Sequence, residues 1–153
     1  MQKGNALKML HILHKALLMG QILFAALCVY VIYKKTVVPT AAELEKILQV
    51  AALILTAGGV YAGTTIFKKK LALIREMQTD ARQKFAQYRA ASIMQWALLE
   101  GPAIFCTICF FLTGNYAFLA LSVVIMFLFA VIGPSKNKIL TQLQITESEL
   151  EDL

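Results

Sequence analysis

The chain has 153 residues, of which 59% are hydrophobic and only 16% charged, and its net charge is +6. Soluble domains hold fewer apolar and more charged residues, so the composition indicates a membrane protein. The basic residues lie in short blocks between long apolar runs, which argues against nucleic-acid binding. The length suits a single transmembrane domain over 1–153.

Four apolar runs predict an all-α integral membrane four-helix bundle. The first helix is expected to begin before its span, which places His11 and His14 at the interface. A tight turn at Gly114-Asn115 joins the last two spans, and Gly133-Pro134 ends the fourth. The predicted spans are approximately 16–33, 47–67, 90–113 and 116–132.

Basic clusters near the span ends predict the orientation, because lysine and arginine are concentrated on the cytoplasmic side. Both termini are therefore expected inside, although Lys34 and Lys35 fall in the first outside loop. The agreeing amino- and carboxyl-terminal lysines are Lys3, Lys8, Lys15, Lys136 and Lys138. The largest cluster lies between the second and third spans and comprises Lys68, Lys69, Lys70, Arg75, Arg82, Lys84 and Arg89.

The 68–89 segment contains helix formers and neither glycine nor proline, so it predicts a projecting cytoplasmic hairpin with a turn near 78–80. Each arm would extend by about 15 Å. The hairpin would offer a surface to a partner, or would be a solvated charged loop.

The cytoplasmic tail, 134–153, is predicted to be ordered. Ser135 is positioned to cap a short amphipathic helix that carries Ile139, Leu140 and Leu143. Thr146 and Glu149 form a capping-box pattern. The tail either docks on the basic hairpin or is solvated, and solvation is the favoured interpretation.

Glu100 is the only acidic residue inside a predicted span, and it lies near the expected centre of the bilayer. A charge at this depth is costly, so the carboxyl is expected to face protein or water and to be protonated or paired. The alternatives are a proton-carrying group and a structural hydrogen bond that holds the bundle or an oligomer together.

An antiparallel pairing of the second and third spans brings Glu100 opposite Ala57. Gly59 and Gly63 form a Gly-x-x-x-Gly pattern, which permits close helix contact at this level. Pro102 leaves the carbonyl of Leu98 without its helical donor, which predicts an acceptor for a protonated Glu100 or a water molecule. The candidate packing and hydroxyl groups are Thr56, Gly58, Gly59, Tyr61, Gly63, Thr64 and Pro102.

The Ala-Leu-Leu-Glu sequence at 97–100 resembles the ion-carrying helix of the c subunits, or proteolipids, of rotary ATP synthases. The resemblance extends over 47–118, because a glycine-rich helix and an Arg82-Gln83 loop precede Glu100. Lys84 follows where that family usually has proline. The resemblance implies a homo-oligomeric assembly whose hairpin binds protons at Glu100, and it also suggests a bacterial inner membrane.

Weaker patterns involve cysteine, histidine and aromatic residues. Cys106-x-x-Cys109, with Cys28, has the spacing of a membrane thiol redox protein, but the outside loop lacks a shuttle pair, which favours packing. His11 and His14 are expected to anchor the first helix rather than to bind a metal or haem. The aromatic residues expected in the interfacial belts are Tyr30, Tyr33, Trp96 and Tyr116.

The favoured hypothesis is a small non-enzymatic inner-membrane protein that acts as a subunit or oligomerising component of a membrane assembly. It needs no cofactor, and its expected partners are the bilayer, its own copies or other membrane subunits. The alternative is a proton-translocating protein centred on Glu100, and thiol redox chemistry is a minor one.

Overall fold

A computed structural model describes residues 5–35, 39 and 42–151, and within these ranges the chain is all-helical. Lys3 of the amino-terminal basic cluster and residues 36–38, 40 and 41 of the first loop lie outside the described residues. The six helices are α1 (Asn5–Tyr33), α2 (Glu45–Glu76), α3 (Ala81–Thr113), α4 (Tyr116–Val131), α5 (Lys136–Leu143) and α6 (Glu147–Glu151). A 3₁₀ turn over Ala42–Leu44 precedes α2.

The helix α3 lies at the centre of the bundle and packs against α1, α2 and α4. It forms antiparallel pairs with α2 and α4, which are its neighbours along the chain. It runs parallel to α1, because His14 contacts Trp96 near one end of the pair and Pro39 contacts Gly114 near the other. Large side chains such as Phe110 and Ile125 are completely buried between these helices.

Local sequence signals explain the two tight turns on either side of α3. The Asp80 carboxylate caps α3 by accepting a hydrogen bond from the Gln83 amide at 3.1 Å, so the predicted turn at 78–80 is confirmed. At the other end, Gly114 adopts φ +71°, a left-handed conformation that favours glycine. Asn115 then caps α4 by accepting from the Ala117 amide at 2.8 Å.

Three helices, α1, α2 and α3, are long and apolar enough to cross a membrane. The fourth, α4, has 16 residues, or about 24 Å, and reaches the length of a span only if it is combined with α5 across a bend of 70°. The lengths and composition are compatible with a multi-pass membrane protein. The expected orientation, with both termini in the cytoplasm, stays a prediction.

The short α5 helix packs on the hairpin formed by the ends of α2 and α3, and Leu150 of α6 is buried. Ser135 caps α5, and Glu149 accepts hydrogen bonds from the Thr146 amide and hydroxyl, as both capping patterns predict. These bonds hold the pKa of Glu149 below its usual range.

The prediction of a solvated tail is wrong, because apolar burial rather than charge pairing attaches it. Ile139 and Leu143 are completely buried. Two hydrogen bonds reinforce the contact: Arg75 Nε donates to the Gln142 carbonyl oxygen at 2.8 Å, and the Tyr88 hydroxyl donates to Gln142 Oε1 at 2.9 Å. The predicted hairpin therefore exists as helix, but the tail covers one side of it.

Candidate functional site

The helices α2 and α3 approach each other closely at Gly59. A Cβ atom added at Gly59 would lie 2.8 Å from Pro102 Cγ and would clash with the carbonyl oxygen of Leu98. Pro102 has no amide proton to donate to that carbonyl, so the absent donor on α3 and the absent side chain on α2 meet at one point. The glycine of the Gly-x-x-x-Gly pattern at position 59 therefore allows the backbones of α2 and α3 to approach closely.

The other predicted groups of α2 have different surroundings. A Cβ at Gly63 would make ordinary contacts at 3.5 Å with Gln95 and Leu98, whereas one at Gly58 would have no atom within 4 Å outside its own helix. Thr56 Oγ1 lies 3.9 Å from Cys106 Sγ, and Thr64 Oγ1 donates to the Val60 carbonyl oxygen at 2.8 Å. Tyr61 is 72% exposed.

The prediction that Glu100 faces the glycines of α2 is wrong in direction, although the register of α3 against α2 is close to the expected one. Leu98 and Pro102, one turn apart, form the face of α3 that contacts Gly59. Successive helical residues are separated by about 100°, so Glu100 is rotated by about 200° from each of them. Its side chain therefore points away from α2, and the freed carbonyl of Leu98 is not its partner.

Glu100 lies instead at the edge of the face that α3 turns towards α1 and α4. Trp96, one turn earlier, is buried, whereas the adjacent Ala97 and Gly101 are exposed. The side chain of Glu100 is only partly buried, and no hydrogen-bond or ion-pair partner for its carboxyl occurs within the described ranges. The predicted structural hydrogen bond is thus not formed inside a single copy of the described chain.

A buried polar cluster lies about one turn beyond Glu100, between α3 and α4. Ser122 Oγ donates to the Ala103 carbonyl oxygen at 2.9 Å and lies 2.9 Å from Thr107 Oγ1. Thr107 Oγ1 also approaches the same carbonyl at 3.0 Å. All these groups therefore have partners, and the cluster joins α3 to α4.

Gln21 is the main residue that the sequence reasoning missed. It is 2% exposed, and neither its amide nitrogen nor its amide oxygen has a partner among the described residues. Because His14 is level with Trp96 and α1 runs parallel to α3, Gln21 is level with Ala103 and the polar cluster. It is the single polar interruption of the first predicted span, so the sequence did carry a signal.

His14 and Trp96 are buried between helices and do not point outwards, as belt residues would, whereas their depth relative to the membrane stays a prediction. The His14 ring stacks on Phe129 at 4.7 Å and meets the edge of Trp96 at 4.8 Å. His14 Nε2 donates to the Phe129 carbonyl oxygen at 3.0 Å, and this carbonyl belongs to the last turn of α4, where helical donors run out. His14 therefore acts as a cap that links α1 to α4.

The remaining predicted groups are placed as follows. Cys28, Cys106 and Cys109 are free and buried, which favours the packing interpretation over exchange with a soluble thiol. Within the described part of the chain, no group of three or more histidine, cysteine or acidic side chains is arranged to hold a metal ion. Tyr30, Tyr33 and Tyr116 are exposed, as belt residues would be.

The basic hairpin is mostly accessible to solvent and anions. Lys70 and Lys84 are half-buried, and Arg82 interacts with another group of the chain. The exposed members of the basic hairpin cluster are Lys68, Lys69, Arg75, Arg82 and Arg89.

Comparisons with known proteins leave the family open. No protein-family model matches the chain, and neither the curated proteins nor the solved structures yield a significant match. The resemblance to proteolipids therefore stays a hypothesis based on the residues around Glu100.

Proposed function

We propose that this protein is a non-enzymatic subunit of a membrane assembly, and that the face of α3 around Glu100 is covered by a second copy or by another membrane subunit. The observation that carries this proposal is the partly exposed carboxyl of Glu100, which lacks a partner among the described residues. The bacterial inner membrane is the proposed location, with both termini in the cytoplasm.

Glu100 lies deep in the apolar part of α3, where a carboxyl without a partner is costly. It lies in the third span, 11 residues beyond Arg89 and 15 before Asn115. A polar group at the bilayer centre costs at least about 2.5 kcal/mol when it is charged and faces lipid. Contact with another helix that offers a hydrogen-bond partner removes this penalty, so assembly is the state in which Glu100 is satisfied.

The adjacent Gly101 supports a close contact on this face. Gly101 is exposed, and a Cβ atom placed on it would meet nothing within 4 Å outside its own helix. Small residues let membrane helices approach until a carboxyl can reach a neighbouring backbone or side chain. An incoming helix would therefore contact Gly101 and hydrogen-bond to Glu100 in the same interface.

Photo-crosslinking tests this interface directly in native membranes. A photoreactive amino acid at Ala97, which is exposed beside Glu100, is expected to form a protein adduct, whose mass identifies a second copy or another subunit. The control is the same residue at Val123, which is 54% exposed on α4. Adducts of equal yield at both positions, or protein adducts at neither, would overturn the proposal.

Proton translocation is the second candidate, and the partial exposure of the Glu100 carboxyl favours it. Proton exchange requires a titrating group, whereas a structural hydrogen bond needs only a polar donor and acceptor. Glu100→Gln keeps hydrogen-bonding capacity but does not titrate. Proton flux is measured in liposomes with a potassium diffusion potential, for the wild type and for Glu100→Gln. If the variant still assembles and its proton flux equals that of the wild type, translocation through Glu100 is excluded. If the variant assembles but its proton flux is lost, translocation is supported.

A further inference from the structure

A cavity of about 450 Å³ lies between α2, α3 and α5, on the side of the bundle away from Glu100. Three basic side chains line it: Lys68 and Arg75 from α2, and Lys138 from α5. Apolar side chains complete the wall, among them Phe67, Leu71 and Ile132. The cavity is therefore amphipathic.

The charges in this cavity are not balanced by the protein. Among the described residues that line it, none is acidic, and Lys68, Arg75 and Lys138 form no ion pair within the described chain. Three like charges around one cavity repel one another, and the half-buried Lys138 also loses hydration. An anion in the cavity would relieve both costs.

Hydrogen bonds hold two of these cations at the cavity. Arg75 Nε donates to the Gln142 carbonyl oxygen at 2.8 Å, which leaves the terminal guanidinium nitrogens for a ligand. Lys138 Nζ donates to the carbonyl oxygen of Ile132, the residue that caps the carboxyl end of α4, at 3.3 Å. An ammonium group has three protons, so Lys138 keeps two donors for an anion.

The position of the cavity along α2 indicates the kind of anion. Its wall runs from Thr64, inside the apolar span, to Arg75 in the charged arm, a rise of about 16 Å along the helix. A small hydrophilic anion would use only the charged end. A phospholipid has a phosphate that matches the cations and acyl chains that match the apolar end, and basic pockets between membrane helices bind such head groups.

We propose that this cavity binds the phosphate of an anionic phospholipid, with Lys68, Arg75 and Lys138 as its ligands. The tail helix α5, which docks through its buried Ile139 and Leu143, is part of the site, since it supplies Lys138. The proposal is independent of the function of Glu100, because the two sites share no residue.

The test is native mass spectrometry of the purified full chain in detergent, titrated with phosphatidylglycerol or with zwitterionic phosphatidylcholine. Each lysine near an anionic headgroup contributes about 1 kcal/mol, or about a fivefold change in affinity. Lys138→Gln is expected to weaken phosphatidylglycerol binding by about fivefold, and Lys68→Gln with Lys138→Gln by about 25-fold, if the contributions add. Lys138→Arg should retain binding, which keeps the test valid if the glutamine variant is poorly folded.

The matched control is Lys69→Gln, since Lys69 belongs to the same basic block, is exposed and does not line the cavity. It should change affinity by less than twofold. Equal losses for Lys69→Gln and Lys138→Gln would show general surface attraction and overturn the proposal. Equal affinity for both lipids, or displacement of phosphatidylglycerol by millimolar inorganic phosphate, would overturn the assignment to a lipid.

Discussion

Gly59 and Pro102 pack so closely that a Cβ atom at position 59 would lie 2.8 Å from Pro102 Cγ. This contact sets the depth at which α2 and α3 pair. It also sets the rotation of α3, because the face that carries Pro102 is occupied by α2. Glu100, two residues earlier, is consequently directed to the opposite side of the helix.

Gly59→Ala is expected to lower the free energy of unfolding by about 1–3 kcal/mol, since the methyl group would overlap the Leu98 carbonyl and the proline ring. Thermal unfolding in detergent, followed by the fluorescence of Trp96, measures the change. The matched control is Gly58→Ala, where the added methyl has open space and improves helix propensity by up to about 1 kcal/mol. A destabilisation of the same size in both variants would contradict the proposed close contact.

His14→Phe is expected to destabilise the protein by about 1–3 kcal/mol, because the ring stacking is kept while the Phe129 carbonyl loses its donor. His11→Phe, three residues away and only partly buried, should change stability by less than about 0.5 kcal/mol. The same unfolding assay compares the two. No effect of His14→Phe would mean that the hydrogen bond does not cap α4.

Gln21→Leu is expected to raise the unfolding free energy by about 1–3 kcal/mol. The substitution removes a buried amide that has no partner among the described residues and replaces it with an apolar group of similar size. Ser122→Ala provides the contrast, because the Ser122 hydroxyl donates a hydrogen bond to the Ala103 carbonyl oxygen. Loss of this hydrogen bond should lower the free energy of unfolding. If Gln21→Leu were destabilising instead, Gln21 would have a partner in the membrane, such as a bound water molecule.

The features of the fold that depend only on residues close together in the sequence were predictable. Asp80, Gly114 and Ser135 mark helix ends through caps and a left-handed turn, and each stands where the pattern places it. Rotation about a helix axis was not predictable, because in an apolar span the buried and lipid-facing sides are equally hydrophobic. The Gly-x-x-x-Gly pattern identified the face of α2 but not the face of α3, which is why Glu100 was expected to face the glycines.

Long-range contacts of aromatic and polar residues were also missed. Trp96 is of a residue type that is common in interfacial belts. Only its contacts with α1 and α4 show that it belongs to the core with His14 and Phe129. In the same way, the tail was expected to be solvated although α5 has an apolar face, because the docking of α5 between Arg75 and Tyr88 depends on the return of the tail to the hairpin. No local sequence pattern predicts that the tail folds back onto the hairpin.

The mass of the complex, measured after extraction from native membranes into lipid nanodiscs, tests the central claim that the Glu100 face is covered by another subunit. We expect a complex of several copies, or of this chain with other membrane proteins. Glu100→Leu should change the stability or stoichiometry of that complex, because leucine removes the carboxyl that the partner satisfies. A single chain surrounded only by lipid, with the same mass for the wild type and for Glu100→Leu, would contradict the claim.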